Sequence, residues 1–64
     1  MPHYNITVQL VGEDGNAFAI LARVDRALKN AGASKPDRER FYQEATAGDY
    51  DHLLSTCSKW VNVV

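Results

Sequence analysis

The chain has 64 residues, 45% hydrophobic and 23% charged, with a formal net charge of −1. That length admits a single small domain over residues 1–64, and the composition fits a folded chain rather than a disordered one. The near-neutral charge argues against general electrostatic attachment to nucleic acid or membrane, and the lone Cys57 excludes an intrachain disulfide.

A chain this short hides only about 60% of its unfolded surface, so it needs tight packing, a metal or a partner subunit. His3, His52 and Cys57 do not have zinc spacing. The start, "MPHYNITVQL", lacks the basic stretch and apolar core of a signal peptide, and no apolar run approaches the roughly 18 residues of a membrane span. With a lone thiol, these features set the expectation of a cytoplasmic protein without membrane contact. A free amine with histidine at position three binds copper or nickel through the amide nitrogen of residue two. Pro2 has no N–H, so His3 reads as a surface residue.

Residues 4–10, "YNITVQL", alternate. Tyr4, Ile6, Val8 and Leu10 share one side, and Asn5, Thr7 and Gln9 the other, which is the period of a half-buried strand. Gly12 to Gly15 breaks the pattern. Asn16, or alternatively Asp14, caps a helix over about 16–31. Its apolar positions are Ile20, Leu21, Val24, Leu28 and Ala31, with Phe18 at the start, and Gly32 suits a left-handed terminus. Ser34 caps a second helix over about 35–46, with Pro36 and Asp37 in its first turn. Its apolar content is thin, namely Phe41, Tyr42 and Ala45. Asp49 caps a third helix, with Asp51 in its first turn and a stripe of Leu53, Leu54, Cys57, Trp60 and Val61. The tail "WVNVV" either continues that helix or turns extended, and its valines favour the second.

The first strand needs a partner for its backbone groups, and the tail is the only other strand-like segment. The expected fold is therefore α+β, β-α-α-α-β, with the terminal strands paired and the helices packed on one face. A two-stranded sheet is marginal alone. Residues 4–10 carry no charge and no proline, so one edge of the first strand is unguarded. That predicts pairing across a homodimer, with Tyr4, Asn5, Thr7, Gln9 and Trp60 as interface residues. Trp60 is either core or the central anchor of such a contact.

Three groups of residues invite a chemical reading. "VGEDGNAFAIL" has the strand, glycine turn and helix start of a phosphate loop, but Glu13 and Asp14 repel a phosphate and no lysine–hydroxyl pair follows. The simpler reading is a turn whose acids complement the helix dipole. Asp49, Asp51 and His52 have spacing suited to a metal or an oriented imidazole, yet they also make an ordinary helix start. If Glu13 and Asp14 met Asp49, Asp51 and His52 in space, the five would form an acidic metal site. Arg23, Arg26, Lys29, Lys35, Arg38 and Arg40 make residues 23–40 basic, at +3 after Asp25, Asp37 and Glu39. The helix–"GAS"–helix layout loosely resembles a helix-turn-helix, but the second helix lacks an amide- and hydroxyl-rich reading face. A solvated charged surface is the simpler reading, and weak nucleic-acid binding the alternative. Cys57 lies on an apolar stripe and reads as a buried, inert thiol.

At "VGEDGNAFAIL" and "EATAGDYDHLL" the chain resembles small bacterial and phage-associated proteins of similar length, a group with no established activity. The resemblance implies a free-standing small protein and carries over no functional residue. No motif calls for a cofactor, and no nucleophile–base pair is visible, so the reading leans away from an enzyme. It favours a small binding module or homodimer.

Overall fold

The expected order of elements is observed. In a computed structural model that describes residues 3–10 and 16–64, β1 (Thr7–Val8), α1 (Ala17–Asn30), α2 (Lys35–Ala45), α3 (Tyr50–Trp60) and β2 (Asn62–Val63) follow in turn. Each helix begins where a capping side chain is available. Asn16 Oδ1 accepts from the Phe18 N–H at 2.8 Å, Ser34 Oγ from Asp37 N–H at 3.3 Å, and Asp49 Oδ1 from His52 N–H at 2.9 Å. Each cap satisfies a donor that the first turn leaves without a partner. At the other end of α1, Gly32 adopts φ 90°. Its N–H reaches the Lys29 carbonyl at 3.1 Å, and the Ala33 N–H reaches Leu28 at 2.9 Å. This paired closure ends the helix, and it needs a residue without Cβ strain at position 32.

β1 and β2 pair in parallel, Thr7 opposite Asn62 and Val8 opposite Val63. Parallel neighbours need a long crossover, and here the three helices together supply it. The ladder is shorter than the expected strand over 4–10. The Ile6 N–H turns back to the Tyr4 carbonyl at 2.9 Å, a tight turn about Asn5 that interrupts regular extension. Pairing nevertheless reaches beyond the ladder, from Leu10 N–H to Val64 at 2.9 Å at one end to His3 N–H to Lys59 at 3.0 Å and Tyr4 N–H to Trp60 at 2.9 Å at the other. The last two bonds satisfy carbonyls that the end of α3 would otherwise leave open. Val61 is extended, so the tail leaves the helix after Trp60.

The alternation of side chains survives the short ladder. Tyr4, Ile6, Val8, Leu10 and Val63 face the core, while Asn5, Thr7 and Gln9 are exposed on the outer side, where Asn62 Nδ2 donates to Asn5 Oδ1 at 3.2 Å. The helices contribute Ile20, Leu21, Val24, Leu28, Phe41, Ala45, Leu53, Cys57 and Trp60 to one buried cluster. Thr56 is also buried, its hydroxyl donating to the His52 carbonyl at 2.9 Å. No helix among the described residues is long and apolar enough to cross a membrane.

Candidate functional site

Trp60 organises one side of the molecule. It is 2% exposed within the chain, so it belongs to the core. Phe41 meets it edge-on at 5.9 Å, Tyr4 stacks at 6.3 Å, and the exposed His3 ring lies at 4.5 Å. Two carboxylates on one face of α2 fix the periphery: Trp60 Nε1 donates to Glu44 Oε1 at 3.1 Å, and Tyr4 Oη donates to Asp37 Oδ2 at 2.7 Å. That bond to Asp37, with some burial and the carboxylate charge, raises the Tyr4 hydroxyl above the ordinary tyrosine range. Of the expected interface set, Tyr4 and Trp60 are therefore committed internally, and Asn5, Thr7 and Gln9 stay on the exterior.

The acidic residues do not form one centre within the described chain. Glu13 and Asp14 lie outside the described residues. Asp49 is occupied as a helix cap, and His52 Nε2 lies 2.7 Å from the Glu44 carbonyl, at the end of α2. Gly48 allows that ring position, because a Cβ there would sit 2.8 Å from His52 Cγ. His52 thus fastens the α2–α3 corner. Among the described residues no group of three or more His, Cys, Asp or Glu side chains is placed to hold a metal. Cys57 is wholly buried, and desolvation pushes its thiol up to about 11.

The six basic residues divide between surfaces. Arg23 and Arg26 border a shallow depression of about 320 Å³ beside Ala19 and Ala22 on α1. Lys35 and Arg38 instead face the groove between α1 and α2. Lys29 and Arg40 are exposed and border neither. Arg38 Nη1 contacts Asp25 Oδ2 at 3.4 Å, and its Nε is buried without an acceptor among the described residues.

That α1/α2 groove has a volume of about 490 Å³. Leu21 and Ala22 line it together with the aromatic rings of Phe18 and Tyr42 and the charged Asp25, Lys35, Arg38 and Glu39. Phe18 and Leu21 also border a second depression of about 260 Å³, which continues past Ala45 and Thr46 to Asp49 and Tyr50. The exposed aromatics are concentrated here: Phe18 is 76% exposed, Tyr42 52% and Tyr50 43%.

Phe18 was expected at the start of the core face of α1, and the structure turns it outward. Helical geometry supplies the reason. At about 100° per residue, position 18 lies about 105° from the centre of the stripe formed by Ile20, Leu21, Val24 and Leu28. Its direction was therefore available from the sequence by that arithmetic. Its neighbours Tyr42 and Tyr50 come from other helices, and no local pattern announces their convergence.

No family model, curated protein or solved structure matches the chain. The functional reading therefore rests on the site itself.

Proposed function

We propose that this chain is a small non-catalytic protein-binding module acting through the face that carries Phe18, Tyr42 and Tyr50. The observation that carries this reading is Phe18, a phenylalanine left 76% exposed beside an apolar groove. Exposed aromatics clustered around a groove are a feature of recognition surfaces, and burying one such ring removes about 150–250 Å² from water. A groove lined by Leu21 and Ala22 between two helices suits an inserted apolar side chain or an amphipathic helix. A catalytic reading has less support, since the only thiol is buried and held protonated.

A photoreactive residue at position 18 tests the reading in cells. Protein adducts that form there, and not from the same residue at exposed Asn30, support it. Equal labelling from both positions, or none from position 18, would refute it.

A second reading is favoured by a separate observation. Among the described residues β1 pairs with β2 alone, and Thr7 and Gln9 bring no charge or proline to its other edge. That supports strand-to-strand association of two copies. Substituting proline for Thr7 or lysine for Gln9 would abolish it.

A further inference from the structure

We draw no further inference here: the strongest candidate, the groove between α1 and α2 with the exposed rings of Phe18, Tyr42 and Tyr50 beside it, belongs to the face already described, and nothing in the structure shows what covers it.

Discussion

The Tyr4 hydroxyl donates to Asp37 Oδ2 at 2.7 Å, joining two residues 33 positions apart. It fastens the segment entering β1 to the first turn of α2, next to the Trp60 ring. Tyr4→Phe removes the hydrogen bond and keeps the ring. The bond is partly exposed, so its loss is modest, and the variant should unfold slightly lower in a thermal melt, with an unchanged circular dichroism spectrum. Asp37→Asn, which keeps an acceptor at the same place, should lose less.

Gly48 is required by the position of His52. A Cβ at residue 48 would meet His52 Cβ at 2.9 Å as well as the ring, so the imidazole cannot simply swing aside. Gly48→Ala is expected to destabilise the chain by about 1–3 kcal/mol, the range for overpacking, and to break the contact between His52 Nε2 and the Glu44 carbonyl. The double variant with His52→Ala should recover the part of the loss that is due to the ring, while the close approach of the two Cβ atoms remains. Urea denaturation of the three proteins measures this, and strict additivity of the two substitutions would contradict the account.

Leu28 and Phe18 lie on the same helix and should respond in opposite ways. Leu28 is wholly buried, and Leu28→Ala is expected to cost about 2–5 kcal/mol. At about 0.05–0.15 kcal/mol per residue the whole chain is stable by about 3–10 kcal/mol, so that variant should give up roughly half of its stability and melt well below the parent. Phe18→Ser should leave the melting of the monomer within about 0.5 kcal/mol of the parent. Measuring both at a concentration too low for association separates packing from binding.

Cys57 gives the stability of the chain a dependence on alkaline pH. Below the ordinary thiol value of 9.0 the group is protonated both folded and unfolded, and it adds no pH dependence. Between that value and the raised value of about 11, the unfolded thiol releases its proton and the buried one keeps it. Stability then falls by about 1.4 kcal/mol per pH unit. Cys57→Ala should flatten that decline. At pH 8 a thiol reagent should leave the folded chain unmodified and label it fully in guanidinium. Rapid labelling without denaturant would refute the burial.

The most legible parts of the fold were those written in single side chains. Asn16, Ser34 and Asp49 each mark a helix start because a short polar side chain reaches an open amide, and Gly32 marks an end because few other residues take its φ. The alternation at Tyr4, Ile6, Val8 and Leu10 identified the inner face of the first strand, and the valines of the tail indicated where its partner lay. The sequence does not reveal the shortness of the ladder, which follows from the turn about Asn5. Nor does it reveal that Asp37 and Glu44, seven residues apart on α2, would be drawn to Tyr4 and Trp60. The aromatic face is legible only in part, for the same reason: Phe18, Tyr42 and Tyr50 belong to three helices, and their meeting is a property of packing.

The pairing of β1 with β2 bears on the order of events during synthesis. Asn5 and Asn62, which meet across the sheet, are 57 positions apart. The first strand therefore leaves the ribosome long before the segment that will cover it. Loop closure over nearly the full length of the chain has to precede any reward from the ladder. Through that interval Ile6, Val8 and their backbone amides stay open to other nascent chains, with no lysine or proline among residues 4–10 to deter them. Helices α1 and α2 can pair in the meantime, because their mutual contacts are closer in sequence. Asn62 and Val63 then complete the sheet and end that exposure.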